Sequence, residues 1–237
     1  MAASASSPSD AARTAQDRLQ AQEATIGVVG LGYVGLPLAV QYARRGFETL
    51  GIDLDARRVQ CLRAGDNYID DVDDEDIQTF VADGRLQVES SFERAAEVDV
   101  FFVCVPTPMT DAKNPDLTYV ESAVDSVAQH LRPGQLIVLK STTYPGTTDE
   151  VVRPLLEAGA ADTHLEIGRD YFLAFSPERI DPGNETYQAG TIPVVAGAMT
   201  DAGASVTEAA LRAAGTEVHL VPNPKVAEME KLLENIF

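Results

Sequence analysis

The residues best suited to chemistry begin with three glycines, Gly30, Gly32 and Gly35, in the pattern G-x-G-x-x-G. Glycines gather at any tight turn, so the pattern counts only in context. Here it closes the apolar run 25–30, opens a run with helical spacing, and is followed 18 residues past Gly35 by Asp53, at the end of a second apolar run. That arrangement can bind a dinucleotide. Gly30 makes the turn, Gly32 lets the backbone approach a pyrophosphate, and Gly35 lets helix and strand pack closely. Tyr33 and Val34 lie within the same turn, where the free N–H groups and positive dipole end of a helix face the anion. A carboxylate at Asp53 accepts from a ribose 2′-hydroxyl and repels a 2′-phosphate, which favours NAD over NADP. Arg57 and Arg58 follow closely; they either flank the adenosine or belong to a solvated helix face.

The frame that must hold these residues alternates strand and helix. Apolar strand candidates occupy 25–30, 48–53, 99–105, 135–140, 171–175, 191–196 and 217–221. Helical patterns occupy 33–45, 56–64, 117–131, 147–157 and 201–214. This alternation predicts an α/β fold, a doubly wound parallel sheet of Rossmann type. Met1–Glu23 is rich in Ala, Ser and Gln with no apolar h-region, and reads as a solvated, disordered tail rather than a secretory signal. The nucleotide-binding domain is expected over 24–222. A last helix from Pro224 still runs at Phe237 without a stop signal, so 223–237 reads as the cut-off start of a further helical domain.

Composition narrows the partners. Thirty-seven acids against 18 bases leave a net charge of −19, a surface that repels nucleic acid and anionic membranes. Solubility and adaptation to high salt are the two readings of that acidity. The run Asp66–Asp76 holds seven acids, yet lacks the Gly and closing Glu of a calcium loop, and reads as a solvated helix start with no metal. Two cysteines, Cys61 and Cys104, are too few for a disulfide framework, and no apolar stretch is long enough to span a membrane. The chain reads as soluble and cytoplasmic.

Four ordered motifs, Val29–Leu38 (VGLGYVGLPL), Val103–Pro108 (VCVPTP), Ser141–Thr147 (STTYPGT) and Ser176–Gly183 (SPERIDPG), together resemble the nucleotide-sugar 6-dehydrogenases of the UDP-glucose/GDP-mannose dehydrogenase family. The resemblance runs from Ile26 to Phe237 and is greatest to the UDP-N-acetylglucosamine branch. It implies NAD as cofactor and a UDP-sugar as substrate. It also implies a homodimer for the complete protein, the last helix leading into the dimer core, and oxidation of the sugar C6 alcohol to a carboxylate by two hydride transfers through a cysteine thioester.

Residue by residue, the resemblance implies that Thr107 contacts NAD and that Thr142 binds cofactor and holds a catalytic water. Glu178 assists proton transfer and thioester hydrolysis. Arg179, Ile180 and Asp181 lie along the substrate, and Lys231 and Asn235, four apart on one helix face, stabilise charge at C6. Apart from the resemblance, each has an ordinary reading as a turn, loop or solvated helix residue, and Thr147 suits helix capping. The family's cysteine and UDP-binding domain are expected beyond Phe237. Cys104 sits in an apolar strand and Cys61 on the adenosine side, so neither replaces that thiol, and the chain is expected to bind NAD without completing the oxidation. Two other readings stand beside this one. One is a stand-alone NAD-binding module; the other is a two-electron hydroxyacid dehydrogenase, which the SPERIDPG motif disfavours.

Overall fold

A computed structural model describes residues 9–110, 115–178 and 193–234. Eight strands form one sheet in the order β3-β2-β1-β4-β5-β6-β7-β8. They are β1 (Ile26–Val29), β2 (Thr49–Ile52), β3 (Leu86–Glu89), β4 (Val100–Val103), β5 (Leu136–Leu139), β6 (Phe172–Phe175), β7 (Val194–Ala198) and β8 (Val218–Val221). All neighbours pair parallel except β6 and β7, which run antiparallel, so the expected parallel sheet is a mostly parallel one. The central strands are continuous apolar runs because helices cover both faces.

Helix α2 (Gly35–Arg44) follows β1, α3 (Ala56–Arg63) and α4 (Asp74–Ala82) follow β2, and α5 (Thr118–Ala128) follows β4. After β5 the chain makes one wide turn of π-helix, Thr148–Val152, that runs on as α6 (Arg153–Gly159). Helix α7 (Asp201–Ala213) links β7 to β8, and α8 (Pro224–Glu234) follows β8. The acidic run does start a helix. Asp73 stands at the N-cap of α4, and Asp74, Glu75 and Asp76 fill its first turn, where carboxylates meet the positive end of the helix dipole. Strand β3, which is not among the expected apolar runs, is an edge strand of alternating burial.

The expected disordered tail is corrected from residue 9 onward, residues 1–8 lying outside the described residues. Asp10–Gln20 forms helix α1, capped by the Ser9 hydroxyl accepting from the Ala12 N–H. Ala12, Ala15 and Leu19 are buried against the core that α7 shares. Ala and Gln, which suggested a solvated segment, are also strong helix formers, and the small apolar residues repeat on one face. The helix is pinned by the Arg18 guanidinium, which donates to the Asp99 carboxylate and to the Glu23 carbonyl.

Candidate functional site: a cleft at the carboxyl edge of the sheet

Strand register sets the site. Ile52, Val29, Val103, Leu139 and Phe175 stand level across β2, β1, β4, β5 and β6. The next residue on each strand therefore falls in one row at the carboxyl edge: Asp53, Gly30, Cys104, Lys140 and Ser176. Ladder bonds hold the row, with Gly30 donating to the Ile52 carbonyl, Cys104 to Val29, Lys140 to Val103 and Ser176 to Leu139. Strand order reverses between β1 and β4, the place where doubly wound sheets open a crevice for ligands. A cleft of about 690 Å³ opens there, lined on one side by the glycine turn and Asp53, and on the other by Thr107, Lys140, Thr142 and Glu178.

The glycines have separable reasons. Gly30 has φ +90°, and a Cβ at Gly35 would stand 1.8 Å from the Gly30 carbonyl oxygen, so the fold itself demands both. A Cβ at Gly32 would meet nothing within 4 Å. The protein leaves that space open, and Gly32, Tyr33 and Val34 line the cleft beside it at the start of α2. A bound group with a backbone-hugging anion explains a glycine there; packing does not.

Asp53 is buried, and its carboxylate is oriented by the Leu31 N–H and Arg58 guanidinium on one oxygen and the Asp55 N–H on the other. The two arginines part company. Arg58 lines the cleft and also lies 5.9 Å over the Tyr68 ring. Arg57 turns away to pair with Asp55, the N-cap of α3, and this hydrogen-bonded guanidinium holds the Asp55 carboxyl low, at about 2.

On the opposite wall the Thr107 hydroxyl donates to the Thr142 carbonyl at 2.7 Å, tying the loop after β4 to the loop after β5. Glu178 lies three residues beyond the end of β6 and pairs at 3.4 Å with Lys140, a lysine only 3% exposed. In the expected strand 135–140, Lys140 is the last residue. The signal was present: a lysine ending a run of apolar residues at a carboxyl edge must find a counter-charge. Cys104 lies in the same row, and burial pushes its thiol up to about 12, with Glu178 adding to the rise and Lys140 opposing it. The expectation that this thiol is inert agrees with that environment.

Thr147 does not cap the following helix; its hydroxyl donates back to the Tyr144 carbonyl. The cap comes from α8 instead. Glu228, fully buried, accepts from the Gly146 and Thr148 N–H groups and from the Thr148 hydroxyl. Lys231 lies on the same helix, half-buried, and does not line the cleft. Arg179, Ile180, Asp181 and Asn235 lie outside the described residues.

Comparison with known proteins agrees with this geometry. The model of the UDP-glucose/GDP-mannose dehydrogenase family, NAD binding domain, matches residues 24–214. The chain is 35% identical over 213 residues to UDP-N-acetyl-D-glucosamine 6-dehydrogenase of Pseudomonas aeruginosa, covering 89% of this chain and 48% of that protein. It is 32% identical to UDP-N-acetyl-D-mannosamine dehydrogenase of Pyrococcus horikoshii, covering 90% and 50%. The solved structure of the UDP-N-acetyl-mannosamine dehydrogenase Cap5O from Staphylococcus aureus superposes with a TM-score of 0.80 at 30% identity, over 90% of this chain and 50% of that one. The chain thus spans about half the length of the relatives it matches. A 3-hydroxyisobutyrate dehydrogenase from Salmonella typhimurium, at 19% identity and a TM-score of 0.62, shares the fold alone. With the glycine turn, the buried Asp53 carboxylate and the switch-point cleft in place, the chain belongs to the UDP-glucose/GDP-mannose dehydrogenase family and carries its NAD binding domain.

Proposed function

We propose that the protein serves the NAD-dependent oxidation of the C6 alcohol of a UDP-sugar, with UDP-N-acetylglucosamine as the expected substrate. The observation that carries the reading is the shared cleft: the open space at Gly32 beside Asp53 on one wall, and Glu178 with Thr107 and Thr142 on the other. When bound, NAD accepts a hydride from the sugar carbon. The chain's own residues do the rest. Gly32, Tyr33 and Val34 seat the pyrophosphate at the start of α2. Asp53 takes the ribose hydroxyl, and Arg58 flanks the adenosine. Thr107 braces the loop from which Thr142 presents its hydroxyl, and Glu178 supplies a carboxylate for proton transfer.

Lys231 and Asn235 are proposed, on the strength of the family motif, to stabilise charge at C6, with residues 179–181 along the substrate. Neither Cys61 nor Cys104 is suited to carry a thioester, so this chain is proposed to bind NAD without completing the four-electron reaction. In the complete protein the last helix is proposed to enter a homodimer core. Relatives acting on N-acetylglucosamine and on N-acetylmannosamine are comparably similar, so the substrate is decided by assay. Incubating the complete protein with NAD and each of UDP-N-acetylglucosamine, UDP-N-acetylmannosamine and UDP-glucose should give two NADH per sugar for one of them. No NADH with any of the three overturns the reading.

A further inference from the structure

Lys140 is the buried charge in the cleft that the proposed reaction leaves unused. Its backbone N–H is fixed to the Val103 carbonyl, and its side chain is 2% exposed, so its ammonium has lost nearly all its water. Placing an ammonium there is costly unless an anion compensates it. The anion is supplied by the neighbouring strand. Lys140 follows Leu139, which is level with Phe175, and Glu178 stands three residues beyond Phe175. The two side chains meet at 3.4 Å, and both line the cleft.

The arrangement is directional. β5 and β6 are apolar and buried throughout, so Lys140 is anchored at the end of a core strand, whereas Glu178 lies on a loop past the end of its strand. A loop carboxylate gains orientation from a buried ammonium that holds one of its oxygens. Asp53, with Arg58, stands on the far wall, formed by the turns that follow β1 and β2. A role for Lys140 in seating the cofactor through the ribose carboxylate is therefore not what the geometry offers.

We propose that Lys140 is a positioning residue: its ammonium holds the Glu178 carboxylate aimed into the cleft, and so acts on the sugar chemistry through Glu178. This rests on the proposed role of Glu178 in C6 oxidation. The ion pair itself is testable without turnover. In the 237-residue chain, thermal unfolding of K140M, E178Q and K140M/E178Q should show strong coupling, the double variant being more stable than the sum of the single losses predicts. Additive losses overturn the pair.

In the complete protein, K140M should lower kcat by about tenfold or more, leave the NADH Kd and the KM for NAD within about twofold, and be largely rescued by K140R. A K140M enzyme with unchanged kcat overturns the proposal. So does one whose defect is confined to NADH affinity, because Lys140 then serves the cofactor directly. If the wild-type protein reduces no NAD with any UDP-sugar, the dehydrogenase reading fails and a positioning role in that reaction falls with it. The thermal cycle still reports separately whether the pair exists.

Discussion

Asp53, proposed to take the ribose hydroxyl, is left little freedom. Its two oxygens already hold the Leu31 and Asp55 N–H groups and the Arg58 guanidinium, so the carboxylate cannot turn away from the cleft, and only its remaining lone pairs face a ligand. A ribose 2′-hydroxyl can donate to them, whereas a 2′-phosphate meets a fixed negative charge. NADH should therefore bind at least about tenfold more tightly than NADPH, and D53A should lose most of that discrimination, as read by nucleotide fluorescence titration. Cys104 carries the opposite lesson. With its thiol pushed up to about 12 by burial, its thiolate fraction at pH 8 is on the order of one in ten thousand. Iodoacetamide at that pH should label Cys61, which is only partly buried, and leave Cys104 unmodified in the folded protein, as peptide mass spectrometry would show.

Among the elements, α8 and the turn before α6 depend on one carboxylate. Glu228 satisfies two buried N–H groups and a hydroxyl at a helix start that has no cap of its own. Truncation leaves those donors buried and unpaired, so E228A should cost about 2–5 kcal/mol in urea unfolding. The same change should loosen the loop that carries Thr142. Helix α1 depends on Asp99 in a comparable way. Burial pushes that carboxyl up, but Arg132, Arg18 and the Thr25 N–H outweigh it, and the net position is below the ordinary carboxylate range. Because the folded form binds its proton less readily than the unfolded chain, the pair stabilises the fold above the unfolded value, and that stability is lost as pH falls through the folded one. The difference in unfolding free energy between wild type and D99N should therefore be full at pH 7 and shrink steadily below about pH 4.

For the whole molecule, the net charge of −19 sets a long-range repulsion that no single contact offsets. Screening shortens its reach to about 3 Å in 1 M salt. Thermal stability should accordingly rise between about 0.01 M and about 1 M sodium chloride, and a flat or falling midpoint would count against self-repulsion as a burden on this fold. Among the described residues no helix is long and apolar enough to cross a membrane.

Much of this protein was legible in its sequence. The glycine turn, the acid 18 residues on and the alternation of apolar runs are local patterns, each written in consecutive residues. Backbone sterics and side-chain periodicity are enough to turn them into a strand, a turn and a helix. What the sequence could not show were partnerships between distant residues. Ala12, Ala15 and Leu19 became a helix face only because α7 and Asp99 were there to receive α1. Glu228 became a cap for a turn 80 residues away, and Lys140 became a counter-charge for Glu178 only once β5 and β6 stood level. A buried charge is tolerable only opposite its partner, and which residues stand opposite one another is decided by the order and register of the sheet.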